Sequence, residues 1–396
     1  MSLLLNNLEI NGFRGLSSLK LEKLGRVNLL VGRNSSGKTS VLEALQVLSS
    51  QGDPNVMLGL AHEHEEIIRG RESATRYEAD FLENFFHGRS FPEYGQGISI
   101  GDSERLHIKI QAIPFIRTEV DIADQDLEHE PSVRTKWVRR IISIEDIRNY
   151  TSDGYPVFYA LEATHTDHAS GEASKFTLAS QDIDNDTLIM RGRGPVSRRA
   201  NSTPFGYVPT TFIDNETLSS SWDLVVLTER ERKVIDMIKI IDNDVVDLAF
   251  VETDSVDRYR PRTARRPMAR LSSSSRPISL GSLGDGVSRL FQIALTIVNC
   301  RHGFLLIDEF ENGLHYSMQK QVWDFIFALS SEFDIQVFAT THSSDCIASF
   351  AESATNHPEL GCAYHLGQSI IDGKAVVTRY EEDRLKDLVD MGRDIR

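Results

Sequence analysis

Cysteine is scarce in this sequence, and long apolar runs are missing. The 396 residues include three cysteines, Cys300, Cys346 and Cys362, whose wide spacing indicates neither a disulfide framework nor a zinc cluster. The longest apolar candidate, residues 290–298, is far shorter than the roughly 18 residues that cross a membrane. The first residues lack the basic flank and apolar stretch of a signal peptide. We therefore expect a cytoplasmic protein with no membrane partner.

Heptad repeats and an excess of positive charge are also absent. Without a sustained heptad stretch, no coiled-coil arm is expected. With 43 Lys and Arg against 58 Asp and Glu, the net charge is −15, which argues against a surface that coats nucleic acid throughout. Arginines nevertheless crowd residues 191–199 and 258–276. The second stretch is also rich in Pro and Ser and is expected to be a mobile loop. Binding of DNA phosphates, docking of an acidic partner and simple solvation all remain open for it.

The hydrophobic periodicity is typical of an α/β protein. It predicts a strand over 27–31, irregular structure over 50–76, one helix over 222–241 with Leu227 on its apolar side, a helix over 285–299 and a strand over 304–307. Between about 97 and 214, short strands separated by turns indicate an antiparallel meander. We expect four segments: an N-terminal lobe, an antiparallel β-rich region, a helical insertion with the Arg-rich loop, and a C-terminal α/β lobe, over residues 1–96, 97–221, 222–276 and 277–396.

A glycine-rich loop after the strand 27–31 carries the pattern G-x-x-x-x-G-K-[ST] over residues 32–39. It lies at the head of a predicted helix, where backbone amides and the helix dipole favour phosphate groups. Lys38 would reach the outer phosphates and Thr39 would offer a hydroxyl to Mg²⁺. The loop therefore predicts an ATP site that contains Gly32, Asn34, Ser35, Ser36, Gly37, Lys38, Thr39 and Ser40.

An acidic pair follows the apolar strand 304–307. Such a strand delivers Asp308 to its carboxyl end, where open α/β sheets bind ligands. Asp308 would hold Mg²⁺ together with Thr39. The adjacent Glu309 is placed to activate the attacking water as a general base.

A second Ser/Gly turn opens the predicted helix 285–299. Like the first loop, it offers free amides and a hydroxyl at a helix N-terminus, which is an anion-binding arrangement. One chain does not need two phosphate cradles for one ATP, so the economical explanation is that this turn caps the γ-phosphate bound by a partner copy. The residues expected in this role are Ser282, Gly284, Asp285 and Gly286.

Together with Thr340-Thr-His342-Ser, these motifs resemble the ABC ATPase head of the RecF, OLD and chromosome-maintenance groups. The resemblance is particular to short OLD-like ATPases, including the ATPase component of PARIS anti-phage systems, through Asn11-Gly-Phe-Arg14 and Glu311-Asn-Gly-Leu-His315. It implies an α/β ABC-type P-loop head with two lobes, a mixed sheet plus an antiparallel β meander, and a small helical insertion.

The resemblance also implies roles for single residues. Arg14 would lie near the nucleotide, His342 would contact the γ-phosphate, and Asn312 with Gly313 would form a loop that crosses a dimer interface. Either Gln96 or Gln111 fits the Q-loop glutamine. Asp285-Gly286 stands where transporter ATPases carry Gly-Gln, so export of a solute is disfavoured.

The TOPRIM nuclease domain of full-length OLD proteins has no room after His342. The acidic run 182–186 is better explained as a polar turn, so no nuclease activity is expected in this chain alone. By resemblance, we expect a homodimer or higher homo-oligomer that acts as a sensor in phage defence and holds a separate TOPRIM-like nuclease or toxin. A RecF-like repair ATPase that binds DNA and a plain regulatory ATPase are the alternatives.

Overall fold

The computed structural model describes residues 3–67, 81–92, 96–123, 133–168, 170–179, 202–253, 264–368 and 375–392. The strands are β1 Leu8–Phe13, β2 Leu16–Leu21, β3 Val27–Val31, β4 Ile98–Gly101, β5 Leu106–Ala123, β6 Val133–Ile141, β7 Phe158–Asp167, β8 Glu172–Ala179, β9 Phe205–Val208, β10 Val245–Thr253, β11 Ala264–Leu271, β12 Ile278–Ser279, β13 Phe304–Ile307, β14 Gln336–Thr341, β15 Gly361–Gln368 and β16 Ala375–Glu381. The α-helices are α1 Lys38–Ser49, α2 Pro54–Glu63, α3 Ile147–Ser152, α4 Asn215–Asp223, α5 Glu229–Ile238, α6 Asp285–Asn299, α7 Tyr316–Glu332, α8 Ser344–Thr355 and α9 Glu382–Asp390.

A six-stranded sheet with the order β16-β15-β3-β14-β13-β9 positions the candidate site. Five of its strands are parallel, and β16 is an antiparallel edge. The register pairs Thr341 with Val31 and Ile307 with Ala339. The carboxyl ends of β3, β13 and β14 therefore meet at one edge of the sheet, which brings the loops that follow them together.

The central sheet is buried on both faces, as parallel sheets are. Alternate residues of one strand enter different cores: Leu305 and Ile307 pack with α5 to α8, whereas Phe304 and Leu306 pack with α1 and the antiparallel sheet. That second sheet has the order β2-β1-β4-β5-β7-β8, with β6 paired to the far half of β5. Helix α1 lies between the two sheets and is buried along most of its length.

The predicted fold class, an α/β protein with a mixed sheet and an antiparallel β region, is confirmed by this arrangement. Among the described residues, the longest helix is α7 with 17 residues, and no described helix is long and apolar enough to span a membrane. The division into four segments remains a prediction. Within residues 97–221, β9 does not join the meander but pairs in parallel with β13.

Two local predictions around the helices are wrong. The range predicted as one helix, 222–241, holds the last two residues of α4 and the whole of α5, because Thr228 caps a new helix that begins at residue 229. Leu227 lies in the break, 93% exposed and at φ 63°, rather than on an apolar face. The irregular structure predicted after residue 50 contains α2, whose start is marked by the side-chain cap of Asp53 and by Pro54 in the first turn.

The Arg-rich stretch differs from the expected mobile loop in its described part. Residues 264–271 form β11, which pairs with β10. Arg265 forms an ion pair with Asp223 at 2.6 Å, and Arg270 forms one with Asp247. The remaining arginines of this stretch up to residue 263, the stretch 191–199 and the acidic run 182–186 lie outside the described residues.

Candidate functional site

The glycine-rich loop connects β3 to α1 and turns through left-handed backbone at Ser35, φ 64°, and Gly37, φ 93°. The left-handed φ at Gly37 disfavours a side chain, and a Cβ there would lie 2.7 Å from Cδ2 of Leu16, so the leucine side chain would have to shift. The Nζ of Lys38 donates to the carbonyl oxygens of Gly32 at 2.8 Å and Arg33 at 2.9 Å. The loop thus binds the ammonium group of its own lysine through backbone carbonyl oxygens.

Lys38 is buried, with 8% of its surface exposed. Burial lowers the pKa of Lys38, and the carboxylates of Asp308, Glu309 and Glu311 oppose that shift. The lysine and these carboxylates therefore act on one another electrostatically although they belong to different loops. The hydroxyl of Ser36 is buried and has no hydrogen-bond partner, which fits a loop that offers its polar atoms to a ligand.

The acidic pair is held by β14. Thr340 Oγ1 donates to Asp308 Oδ1 at 2.6 Å and accepts from the backbone amide of Glu309 at 2.8 Å. Thr39 Oγ1 lies 3.3 Å from Asp308 Oδ2. A hydroxyl and a single carboxylate are oxygen donors of the kind that binds Mg²⁺ together with substrate phosphates. The residues present therefore fit the expected metal.

Glu309 has a backbone φ of 44°, which is strained for a residue with a side chain. Arg289 on α6 stabilises this backbone: its Nη2 donates to the carbonyl oxygens of Asp308 at 2.7 Å and Glu309 at 3.3 Å, and its Nη1 donates to that of Pro209. Burial lowers the pKa of Arg289 to about 10. Sequence reasoning missed Arg289. Its place seven residues after Ser282, on the buried face of a helix, was the only local signal.

His342 follows β14 and faces two carboxylates. Its Nδ1 lies 3.3 Å from Oε1 of Glu311 and 3.7 Å from Oε1 of Glu309. Its backbone amide donates to Glu311 Oε1 at 3.1 Å. About half of the His342 side chain is exposed, at 48%. The structure therefore brings together five residues predicted from separate motifs, namely Lys38, Thr39, Asp308, Glu309 and His342.

The second turn, residues 280–286, is named the signature turn here. It is a short 3-10 helix, Leu280–Leu283, followed by Gly284 at φ 101° and the start of α6. Ser282, Gly284 and Asp285 are exposed, whereas Gly286 is half-buried with its Cβ position 3.1 Å from the carbonyl oxygen of Gly313. In the described chain, no hydrogen bond or ion pair joins this turn to residues 32–40.

The other candidate residues are Arg14, Asn34, Ser40, Asn312, Gln96 and Gln111. Arg14 has φ 47°; its guanidinium pairs with Glu43 of α1 and, at 2.9 Å, with Glu66, and lies 5.0 Å from the Phe85 ring centroid. Asn34 is exposed and Ser40 half-buried. Asn312 Nδ2 donates to the carbonyl oxygen of Thr210 at 2.6 Å. Gln96 precedes β4 and Gln111 lies within β5, so the choice between them stays open.

A parallel sheet whose strand ends carry a phosphate-binding loop, an acidic pair and a histidine defines a P-loop nucleotide-binding protein. The family model described as an AAA ATPase domain matches residues 4–86 and 200–347, more than half of the chain. The chain therefore belongs to this family of ATPase domains.

Curated relatives match over parts of the chain. It is 24% identical over 204 residues to the DNA replication and repair protein RecF of Gloeobacter violaceus, which covers 49% of this chain and 52% of that protein. It is 38% identical over 111 residues to RecF of Pseudoalteromonas translucida, covering 27% of this chain and 26% of that protein. The chain thus spans about half, or less, of the length of these relatives.

Solved structures with a similar arrangement include SMC heads. The SMC head domain from Thermotoga maritima is 12% identical with a TM-score of 0.39, over 95% of this chain and 99% of that one. The SmcHead bound to the C-winged helix domain of ScpA is 13% identical with a TM-score of 0.46, over 95% of this chain and 98% of that one.

Proposed function

We propose that ATP binds between two copies of this chain and acts as a switch of their association. One copy supplies the loop 32–40, with Lys38 at the outer phosphates and Thr39 with Asp308 at Mg²⁺. The partner copy supplies the signature turn through Ser282 and Gly284. The metal, when bound, neutralises phosphate charge. Glu309 accepts the proton of the attacking water, and His342 contacts the γ-phosphate.

The observation that carries this proposal is the exposure of the signature turn. Ser282, Gly284 and Asp285 are exposed, no side chain caps the start of α6, and the turn makes no hydrogen bond to the chain's own loop 32–40 within the described residues. A 15-residue helix presents a favourable dipole to an anion at this end. Because the turn packs on Gly313, next to Asn312, the same surface also presents the loop expected to cross a dimer interface.

ATP binding must open a contact that the free chain makes. The Lys38 ammonium leaves the carbonyl oxygens of Gly32 and Arg33 when it moves to phosphate oxygens, so binding reorganises the loop. Contacts across two copies then add to the binding energy, and ATP stabilises the associated state by mass action. Hydrolysis removes the bridging phosphate and lets the copies separate.

The biological role we favour for this switch is phage defence, in which association holds a separate effector and a trigger releases it. The support is the likeness of Asn11-Gly-Phe-Arg14 and Glu311-Asn-Gly-Leu-His315 to OLD-like ATPases. A TOPRIM-like nuclease or a toxin encoded beside this chain, bound in the presence of ATP and released when the switch changes state, would support this role.

The first experiment measures the mass of Glu309→Gln in solution by light scattering, with and without Mg²⁺-ATP. We expect the mass to double with nucleotide, because binding is kept while hydrolysis is lost. The Lys38→Ala variant is expected to stay at its nucleotide-free mass. A mass that is already high and unchanged by ATP would contradict association driven by nucleotide.

A second experiment tests whether the site is shared. Lys38→Ala and Ser282→Arg are each expected to be inactive, whereas their mixture regains ATPase activity because each hybrid keeps one intact pair of loop and signature turn. Ser220→Arg, at an exposed serine on α4, is the matched control and retains activity alone. A mixture that never regains activity, beside an active control, argues either for sites within one chain or for strict coupling of the two sites.

A RecF-like DNA-repair function is the second candidate, favoured by the matches to two RecF proteins. Arg265 and Arg270 are already paired with carboxylates, so the arginines at 258, 260 and 262 are the ones to neutralise. ATPase stimulation by DNA that disappears in this triple variant would favour the repair function. No stimulation by duplex or single-stranded DNA would argue against it.

A further inference from the structure

Glu311 lies two residues after Glu309, and the function proposed above assigns it no step. Its side chain is mostly buried, with 13% exposed. Oε1 accepts a hydrogen bond from the backbone amide of His342 at 3.1 Å and lies 3.3 Å from Nδ1 of the same residue. One carboxylate oxygen therefore contacts both the backbone and the ring of His342.

The second oxygen of Glu311 is different. Oε2 is buried and has no hydrogen-bond partner. A buried carboxylate oxygen without a partner destabilises the fold. Accepting the hydrogen bond from the backbone amide of His342 does not by itself require a negative charge. The side-chain carbonyl oxygen of a glutamine accepts the same bond. The reason for the charge of Glu311 is therefore to be sought in its neighbours, of which Lys38 and Arg289 are influenced by it through space.

A further neighbour, within contact distance, is the His342 imidazole, whose Nδ1 lies 3.3 Å from Oε1. A carboxylate oxygen beside Nδ1 favours the neutral ring form that carries its proton on that nitrogen, and it orients the ring. The other carboxylate near Nδ1, Glu309, is 3.7 Å away and is assigned to the attacking water. Glu311 thus leaves Glu309 free for that task, and the opposite ring nitrogen, Nε2, is the one available to the substrate.

We propose that Glu311 is the positioning residue of His342, which fixes its ring orientation and its Nδ1–H form for contact with the γ-phosphate. The proposal rests on the proposed function, since it assigns the partner of a residue in that same site. It predicts that the negative charge of Glu311, and not only its size, determines turnover.

The test is steady-state ATPase kinetics of Glu311→Gln. We expect kcat to fall roughly 10- to 100-fold, the size seen when the carboxylate that orients a ligating histidine is removed, while KM for ATP changes less than about twofold. Glu311→Asp keeps the charge but withdraws it by one methylene, and is expected to retain more activity than Glu311→Gln. The matched control is Glu332→Gln, at a carboxylate that pairs with Lys233 outside the site, and its kcat stays at the wild-type value.

A double-mutant cycle with His342→Ala separates positioning from a structural role. In the His342→Ala background, Glu311→Gln is expected to change kcat less than about twofold, because its effect passes through the missing ring. If Glu311→Gln lowers kcat in that background by the same roughly 10- to 100-fold, the proposal is overturned. Equal activity of Glu311→Gln and wild type, or of Glu311→Asp and Glu311→Gln, also overturns it.

The failure of the proposed function gives a different result. If Glu309→Gln hydrolyses ATP like wild type, the catalytic assignment of the site is wrong. If Glu309→Gln is inactive while Glu311→Gln is fully active, only the positioning role is wrong. A thermal melt of each variant accompanies the kinetics, and Glu311→Gln is expected to melt within a few degrees of wild type because its shape is unchanged.

Discussion

Replacing Arg289 with methionine tests how the site is held together. Arg289 is 3% exposed and donates to the carbonyl oxygens of Asp308, Glu309 and Pro209. The methionine side chain fills similar volume but leaves these oxygens without donors. Two well-formed bonds from a charged donor, at about 1.5–3 kcal/mol each, predict a loss of about 3–6 kcal/mol in the free energy of unfolding. Methionine also removes the unfavourable burial of the charged guanidinium, which lowers the pKa of Arg289 to about 10. This gain keeps the loss of unfolding free energy from exceeding that range.

Urea denaturation measures this loss from the shift in midpoint at constant m value. The matched control is Arg270→Met, whose ion pair with Asp247 has both side chains more than half exposed, and its loss is expected to stay below about 1 kcal/mol. We also expect Arg289→Met to lower kcat, because the strained backbone of Glu309 loses its support. An Arg289→Met variant within 1 kcal/mol of wild type and with unchanged kcat would refute the reasoning.

Three further perturbations follow from single features of the structure. Leu227→Gly is expected to raise the free energy of unfolding by about 1 kcal/mol, since a fully exposed leucine is held at φ 63°; a drop in urea midpoint would contradict this. Gly37→Ala should weaken nucleotide binding more than about tenfold in a fluorescent-ATP titration because its Cβ would meet Leu16, whereas Gly59→Ala, in open space on α2, should not. Burial raises the pKa of all three thiols, so a charged disulfide reagent should label three cysteines only after unfolding.

Local motifs in the sequence were sufficient to predict several parts of the molecule. The helix 285–299 and the strands 27–31 and 304–307 have the predicted bounds, because each carries a strong apolar pattern with a turn at its boundary. The order of strand, glycine-rich loop and helix was also predicted correctly, because its signals lie close together in the chain. Cap signals at Asp53 and Thr228 were equally local, and reading them would have corrected α2 and the break before α5.

Other features depended on contacts between residues far apart in the chain. The parallel pairing of β9 with β13 joins residues about one hundred positions apart, and a four-residue strand has too little pattern to select its sheet. Arg289 and Glu311 could not be predicted either, because their hydrogen-bond partners are backbone atoms in loops far away in the sequence. The sequence by itself determined which loop can cradle phosphate and which strands are buried. Only the tertiary structure decided which charges face each other at the sheet edge, because the register of the parallel strands determines which residues lie at that edge.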